Sequence, residues 1–221
     1  MKVHDVAQGS KEWFDVRLGI PTASQFDRIL TPSKLKYASG ASTYLNELLA
    51  EWMLGEPLDA TMTDWMDRGT ELEAEALRYW EFQRNADARQ VGFCTNDAGT
   101  VGASPDALVD PNGGLEIKNR AAKNHVGFLL GDDPIPRGQV QGGIWICERD
   151  WWDVLSYNPR LPPVLIRVYR DEKYIKALSD AMTQFLDELE QGKQLLARLG
   201  KAGRVDGSDL KAKLELSVGG A

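Results

Sequence analysis

The stretch GASPDALVDPNGGLEIK, residues 102–118, places an aspartate before a turn and a Glu-x-Lys triplet after it. Its middle, Asp110-Pro-Asn-Gly-Gly114, is typical of a β-hairpin turn, because Pro, Asn and Gly favour the backbone angles that tight turns need. We therefore predict two antiparallel strands, over about Val101–Val109 and Leu115–Asn119. Since side chains alternate along a strand, the Glu and the Lys of the triplet should share one face.

The expected pairing brings the three charged side chains of this stretch together. If the turn centres on Asn112, Asp106 lies opposite Lys118 and diagonal to Glu116. Cross-strand neighbours are about 5 Å apart, a separation at which two carboxylates can hold one divalent cation between them. An ordinary hairpin with a surface salt bridge is the alternative, since isolated Glu-x-Lys pairs are common. A slip of one residue would turn the acids to opposite faces.

Two acids and a lysine on one face suit the hydrolysis of a phosphodiester. That reaction needs an attacking water and neutralisation of the charge that develops on the phosphate. Asp106 and Glu116 offer hard oxygen ligands for Mg²⁺, and Lys118 can orient or deprotonate the water. The hairpin is therefore a candidate nuclease site.

A fourth acid lies on a predicted helix that runs from about Thr63 to Gln83. One stripe of this helix is mostly apolar and has Glu73 in its middle. Its members at helical spacing are Met66, Gly69, Glu73, Ala76, Leu77 and Trp80. An acid that faces the core is costly unless it pairs with a charge or binds a metal. Glu73 is thus either a metal-site acid or the partner of a buried arginine.

Length and composition indicate one folded domain. The chain has 221 residues, and we predict a single domain over residues 1–200 with a tail, 201–221, that is mobile or a short appended segment. A hydrophobic content of 43% excludes a disordered chain, and no apolar run approaches the roughly 20 residues that span a bilayer. The first residues lack the pattern of a secretory signal, so we expect a cytoplasmic protein, in a bacterial host if it is encoded by a phage or prophage. Cys94 and Cys147 lack zinc-site spacing and are expected to be buried hydrophobes.

The net charge of −7 argues against a protein that coats DNA by general electrostatic attraction. It does not exclude an enzyme that binds divalent cations through clustered carboxylates and concentrates its few basic side chains where phosphates pass.

The remaining sequence predicts helices on either side of a sheet, and so an α/β or α+β fold with a mixed central β-sheet. The expected elements besides the hairpin and the helix of Glu73 are a short helix from Thr22 or Ser24 to Leu30, a helix from Ser42 or Thr43 to Gly55, a helix over Arg137–Glu148, strands over Trp151–Tyr157 and Val164–Tyr169, and a long helix capped by Asp171 that reaches about Leu199.

Taken together, these motifs resemble the PD-(D/E)xK nucleases, which have a restriction-endonuclease-like core, and more closely the phage lambda exonuclease type of 5′ to 3′ double-strand DNA exonuclease. The resemblance spans roughly residues 9–190 and depends on the order of several motifs. They are Trp13 with Arg17-Leu-Gly and Thr22-Ala-Ser24, Arg68-Gly-Thr-Glu-Leu-Glu73, Ser104-Pro-Asp106, Leu115-Glu-Ile-Lys118, Gln139-Val-Gln141 and Tyr157-Asn-Pro-Arg160.

The resemblance implies a metal site. Asp106, Glu116 and the backbone carbonyl of Ile117 would bind one Mg²⁺, and Glu73 would complete a second or shared site, with Mn²⁺ able to substitute. Lys118 would activate the water. Gln141 would assist by hydrogen bonding near the metals, and Gln139 is a second candidate. The alternative for both glutamines is that they are merely polar residues at the start of a helix.

The resemblance also implies a grip on the DNA end. Arg17 and Ser24 would hold the 5′-terminal phosphate, and Trp13 would shape that pocket. The alternative makes Trp13 a core residue and Arg17 a surface charge. The basic residues Lys34, Lys36 and Arg137 are candidates for contacts to the DNA backbone. The alternative is that they are solvated charges on surface loops.

Members of this type form a ring-shaped homotrimer that threads duplex DNA and leaves a 3′ overhang for a single-strand annealing protein. The loop at 31–41 and the tail past Gly200 depart from the pattern. Two rival functions remain open: an endonuclease or resolvase of the same superfamily, and a DNA-binding module without turnover. His4 and His125 lack a partnered motif, so neither is assigned a role.

Overall fold

The main sheet has four strands and carries the hairpin. This computed structural model describes residues 1–58, 64–133 and 135–201, and of 64–71 and 201 it describes only the backbone. The strands of the main sheet lie in the order β6 (Ala107–Val109), β7 (Gly113–Asn119), β8 (Trp151–Tyr157) and β9 (Val164–Tyr169). β6 and β9 run antiparallel to their neighbours, whereas β7 and β8 are parallel. The predicted mixed sheet is confirmed, and β8 and β9 have the predicted bounds.

The hairpin register differs from the predicted one by two residues. Ala107 pairs with Leu115 and Val109 pairs with Gly113, so continuing the pairing by one residue places Asp106 opposite Glu116 instead of Lys118. The cause is that Gly113 and the glycine after it belong to β7 and not to the turn. Because the shift is an even number of residues, every side chain keeps its predicted face.

Those two glycines are required by the neighbouring strand. A Cβ at Gly113 would lie 2.2 Å from the ring of Trp151, and one at Gly114 would lie 2.3 Å from the ring of Trp152. No Cβ fits at such distances, so the indoles of β8 lie flat on the backbone of β7. The glycines that indicated a turn are explained by packing across the sheet.

Six helices and two small sheets surround the main sheet among the described residues. The helices are α1 (Lys11–Arg17), α2 (Ala41–Leu54), α3 (Asp64–Arg84), α4 (Ala122–Leu129), α5 (Arg137–Ile146) and α6 (Glu172–Lys201), with a short 3-10 helix at Ala23–Arg28. β1 (Lys2–His4), β4 (Phe93–Thr95) and β5 (Gly102–Ala103) form one small sheet, and β2 (Leu30–Thr31) and β3 (Lys36–Tyr37) form the other.

Several helix ends follow the predicted capping chemistry. Gly55 ends α2 in the left-handed conformation, with φ of 72°, and Asp171 accepts a hydrogen bond from the backbone of Tyr174 at the start of α6. The predicted helix from Thr22 or Ser24 is the 3-10 helix, without a side-chain cap, and α2 begins at Ala41 after Gly40. Helix α1, capped by Ser10, and helix α4 were not predicted.

The apolar side chains form two clusters, one on each face of the main sheet. Leu115, Ile117 and Leu155 pack with Trp80 of α3 in one cluster, while Trp152 and Val154 belong to the other. Cys94 and Cys147 are buried free thiols, as expected. No helix within the described ranges is both long and apolar enough to span a membrane.

The predicted tail, 201–221, lies outside the described residues except for the backbone of 201, as does the predicted helix start at Thr63. The single domain predicted for 1–200 stays a prediction.

Candidate active site

The hairpin brings Asp106 and Glu116 side by side. Asp106 immediately precedes β6 and is half-buried, while Glu116 lies in the middle of β7 and is 5% exposed. The Oδ2 atom of Asp106 accepts a hydrogen bond of 2.5 Å from the backbone N–H of Ile117. This bond fixes the carboxylate of Asp106 against β7, beside the residue that the sequence predicts as its partner.

Burial and neighbouring charge raise the proton affinity of these acids. Burial, and next the charge of Glu116, hold the pKa of Asp106 well above its usual value, with a further contribution from Glu73. Burial also raises the pKa of Glu116, against the opposing effect of Lys118. The fold therefore keeps carboxylates where their negative charges are poorly solvated.

Lys118 and Gln139 complete a hydrogen-bonded triangle with Glu116. The Nζ atom of Lys118 lies 2.7 Å from Oε1 of Glu116 and donates to Oε1 of Gln139 at 3.1 Å. The Nε2 atom of Gln139 donates to the same oxygen of Glu116 at 2.7 Å. Gln139 projects from the first turn of α5, so this helix and the hairpin together fix the orientation of the lysine.

Glu73 on α3 is the third acid near the pair. It is half-buried, and burial together with the charge of Glu116 raises its pKa. Ala76 and Trp80 of the predicted apolar stripe are fully buried, whereas the side chains of Met66 and Gly69 lie outside the described part. Among the described residues Glu73 forms no ion pair with an arginine, and both the metal-site and the ion-pair interpretation of Glu73 stay predictions.

The donor set can be compared with what a divalent cation needs. Asp106, Glu116 and Glu73 offer carboxylate oxygens, the type of ligand that Mg²⁺ prefers. Among the described residues, Lys118 is paired directly with Glu116, and Arg120 adds a weaker charge effect on it. As the side chains stand, no group of three or more His, Cys, Asp or Glu within the described part is close enough to hold an ion. Their oxygens are instead turned to Ile117 N, Lys118 and Gln139. The residues fit a cation in chemistry and charge, and binding requires the side chains to reorient.

A second polar group forms around Arg17 of α1. Its Nη1 donates to the hydroxyl of Ser104 at 2.6 Å, and its guanidinium stacks on the ring of Trp13, 3.9 Å from the ring centroid. The indole N–H of Trp13 donates both to Ser104 and to the carbonyl of Gly92, at 3.1 Å each. Burial lowers the pKa of Arg17 to about 10, so it is still a cation at neutral pH. This geometry does not fit the alternative in which Trp13 is a core residue and Arg17 is a surface charge.

A small cavity of about 30 Å³ joins the two groups. Arg17, Ser24 and Ser104 line it, together with Glu116 and Gln139. Ser104 was not predicted as a site residue. The signal that could have found it is its position two residues before Asp106, within the same quoted motif.

Gln141 does not lie with these residues, so its predicted position near the metal site is wrong. Its Nε2 donates to the carbonyl of Tyr169 and its Oε1 accepts from the backbone N–H of Asp171. Gln139 and Gln141 are two residues apart on a helix, which turns them about 200° from each other. Gln139 therefore faces the acids, and Gln141 fastens the start of α6.

Several other candidates lie apart from the acids. Arg137 is exposed and pairs with Asp133 at 3.6 Å. Lys34 and Lys36 are exposed near the β2–β3 turn. His125 is fully buried and bonded to the Ser156 hydroxyl and the Pro162 carbonyl, which explains it as a structural residue.

Paired acids with a lysine on a hairpin of a mixed sheet are the arrangement expected from the resemblance to the PD-(D/E)xK nucleases. The sequence profile of the YqaJ-like viral recombinase domain matches residues 12–150, and the chain belongs to this family. No curated protein sequence matches the chain.

Solved structures give the same answer. The alkaline exonuclease LHK-Exo from Laribacter hongkongensis is 30% identical, with a TM-score of 0.77 over 87% of this chain and 99% of that one. The same protein in complex with dAMP is 29% identical over the same shares, also with a TM-score of 0.77. A phage-related exonuclease from Haemophilus somnus 129PT, 14% identical with a TM-score of 0.62 over 81% of this chain and 96% of that one, shares the fold. The predicted resemblance to alkaline exonucleases of the viral recombinase type is confirmed, and these findings support a DNA exonuclease.

Proposed function

We propose that this protein is a metal-dependent 5′ to 3′ exonuclease that degrades one strand of duplex DNA to 5′-mononucleotides and leaves 3′ single-stranded overhangs. The observation that carries the proposal is the ion pair of Glu116 and Lys118, with Asp106 close enough to feel both charges, next to a cavity that Arg17 and Ser104 also line. The first group suits phosphodiester hydrolysis, and the second suits a terminal phosphate.

The proposed metal ligands are Asp106, Glu116, the carbonyl of Ile117 and Glu73. Bound Mg²⁺, as two ions and replaceable by Mn²⁺, would supply charge neutralisation and an acidified water. Burial raises the pKa values of all three acids, the charge of Glu116 adds to this for Asp106 and Glu73, and a divalent cation beside them would favour their ionised forms.

Lys118 orients the attacking water, and once its ammonium has given a proton to solvent, the neutral amine takes up the proton of that water. Its ammonium is held from two sides, by Glu116 at 2.7 Å and by Gln139 at 3.1 Å. A lysine fixed in this way can move a proton over a short path without first ordering its own flexible chain. Gln139 acts here as a positioning residue, the role that the sequence had favoured for Gln141.

Arg17, Ser24 and Ser104 form the proposed pocket for the 5′-terminal phosphate. The guanidinium is fixed by stacking on Trp13 and by its bond to Ser104, so it is ordered before a ligand binds. Such preorganised donors bind an anion with little loss of side-chain entropy. Their shared cavity with Glu116 supports a fixed spacing between the chain end and the bond that is cut.

The family resemblance further supports a homotrimer and a single-strand annealing protein as partner. Both belong to the proposal, as does double-stranded DNA with 5′-phosphorylated ends as substrate.

One assay separates the proposal from its rivals. Linear and covalently closed circular duplexes of the same sequence are incubated with the protein and Mg²⁺, and the products are resolved by size. We expect 5′-mononucleotides from the linear duplex alone and no product after chelation of the metal. Cutting of the circle would favour an endonuclease or resolvase, whereas DNA binding without any product would favour a non-catalytic module.

The phosphate pocket predicts the behaviour of Arg17→Ala. We expect this variant to lose most of the preference for 5′-phosphorylated over 5′-hydroxyl ends, because the fixed cation of the pocket is gone. The ratio of the two initial rates measures this preference, with the exposed Arg198→Ala as the matched control. An unchanged ratio in Arg17→Ala would contradict the pocket.

A further inference from the structure

Trp152 on β8 has a buried indole N–H without a hydrogen-bond acceptor among the described residues. The residue is 2% exposed, and its Nε1 atom makes no hydrogen bond there. Two other tryptophans show the usual arrangement, since Trp13 donates to Ser104 and Gly92, and Trp80 donates to Asp153. Buried N–H groups are nearly always paired, so a lone one points to a partner that the described residues do not supply.

The indole cannot turn to find a partner elsewhere. Its ring lies against the backbone of Gly114, where a Cβ would be 2.3 Å from the ring. On the other side it approaches Gly143 of α5, where a Cβ would be 3.1 Å away. Two glycines on different elements thus fix the ring plane, and the direction of the N–H is set by the fold.

Trp152 is also one of the residues that line the small cavity of the candidate active site. The cavity, about 30 Å³ in volume, has room for one small group such as a single oxygen-bearing fragment. Most of the polar side chains around it can donate hydrogen bonds, namely Arg17, Ser24, Ser104 and Gln139. A space bordered by this many donors favours an acceptor with several lone pairs and negative charge.

We infer that the indole N–H of Trp152 donates a hydrogen bond to a phosphate oxygen of the DNA end that enters this cavity. The inference rests on the proposed function, and it adds to the phosphate pocket a donor on the main sheet that no sequence motif indicated. Trp152 acts on substrate position, since its N–H is a weak acid that takes no part in proton transfer.

The first test needs no turnover. In the ¹⁵N-labelled full chain without metal, the indole signal of Trp152, assigned by through-bond correlation to its own backbone amide, is followed during titration with inorganic phosphate. We expect this signal to move downfield and to saturate, while the indole signal of Trp151 stays in place. A Trp152 signal unmoved by saturating phosphate overturns the inference.

The second test is kinetic and uses two neighbouring tryptophans. Trp152→Phe removes the N–H and keeps most of the ring, whereas Trp151→Phe makes the same change on the opposite face of the same strand. For 5′-phosphorylated linear duplex, we expect Trp152→Phe to raise KM about tenfold, the size typical of one lost hydrogen bond to a charged group. We expect little change with 5′-hydroxyl ends, and wild-type behaviour from Trp151→Phe.

The two tests separate the inference from the proposed function. Equal KM ratios in Trp152→Phe and wild type would refute the inference while the nuclease stands. A phosphate-dependent Trp152 signal in a chain that hydrolyses no DNA would support the anion contact and remove the proposed function. If Trp152→Phe fails to fold, the titration of the wild-type chain still decides.

Discussion

Glu116 and Asp153 are buried acids on adjacent strands of one sheet, and their surroundings differ. Asp153 is fully buried and accepts hydrogen bonds from the guanidinium groups of Arg84 and Arg167 and from the indole of Trp80. Because Asp153 pairs with Leu115 in the parallel register, it lies on the opposite face of the sheet from Glu116. The same sheet therefore carries two clusters of polar side chains, each around a buried acid, one on each face.

The balance of charge distinguishes the two clusters. Around Asp153, one carboxylate lies between two cations, at 2.8 Å from each. Around Glu116, with two further carboxylates nearby, Lys118 at 2.7 Å is the one directly paired cation among the described residues, and Arg120 contributes only a weaker charge effect. A buried acid with enough partners is explained by structure, whereas buried acids that face one another remain unfavourable until a cation arrives. The unbalanced cluster is therefore the candidate for binding a cation.

The largest effect is expected where the cation that is paired with Glu116 in the unbalanced cluster is removed. Lys118→Ala should lower kcat on the order of a thousandfold, the range typical of losing a positioned proton-transfer group. The measurement is the release of mononucleotides from linear duplex, with circular dichroism to show that the fold persists. Lys123→Ala, an exposed lysine on α4, is the control and should retain activity. Full activity in Lys118→Ala would remove the mechanism.

The balanced cluster predicts an effect on stability instead. Asp153→Asn leaves two guanidiniums beside each other without a negative partner, and we expect it to lower the free energy of unfolding by about 2 kcal/mol. The value lies below that for a fully buried pair because the side chains of Arg84 and Arg167 are 33% and 31% exposed. Urea unfolding measures it, with exposed Asp150→Asn as control. A loss of hydrolysis without a loss of stability would show that Asp153 has been misread.

These clusters also show how far sequence reasoning reached. The stripe at helical spacing singled out Glu73, and strand alternation placed Glu116 and Lys118 on one face, because both depend on local periodicity. The mixed sheet followed from the order of the elements. The hairpin register was wrong by two residues, since it depends on the indoles of β8 that cover Gly113 and Gly114, a contact between strands far apart in the chain.

What the sequence missed has the same physical origin. Asp153 gave no local signal, because its partners come from α3 and β9. The choice between Gln139 and Gln141 depends on how α5 is rotated against the sheet, which local spacing does not determine. Ser104 and Trp152 become parts of a site only when the 3-10 helix, β7 and α5 meet around one cavity.

A smaller effect with the opposite sign is expected from Asp106→Asn. The asparagine can still accept the hydrogen bond from Ile117, while it removes one charge from beside Glu116 and Glu73. In the metal-free chain at neutral pH, we expect the free energy of unfolding to rise by about 1 kcal/mol, a modest value because Asp106 keeps some solvent access. Asp87→Asn, at an exposed site, should change it little. A destabilised Asp106→Asn would mean that the acids are not in conflict.

The same variant predicts a pH dependence. The pKa of Asp106 is raised in the folded chain, so its protonated form is favoured there, and wild-type stability is lost as pH rises from the ordinary aspartate range through the raised pKa. Below about pH 4, the ordinary value, both folded and unfolded chains hold the proton, and Asp106→Asn should match wild type. The difference in Tm between the two should therefore grow from acidic to mildly alkaline pH without metal. This Tm difference should shrink or reverse with saturating Mg²⁺. A bound cation stabilises the ionised carboxylate of the wild type, whereas the neutral asparagine binds the cation more weakly. Thermal melts of both chains at several pH values, with and without chelator, measure it, and a Tm difference that is constant across pH would show that Asp106 titrates alike in the folded and unfolded chains.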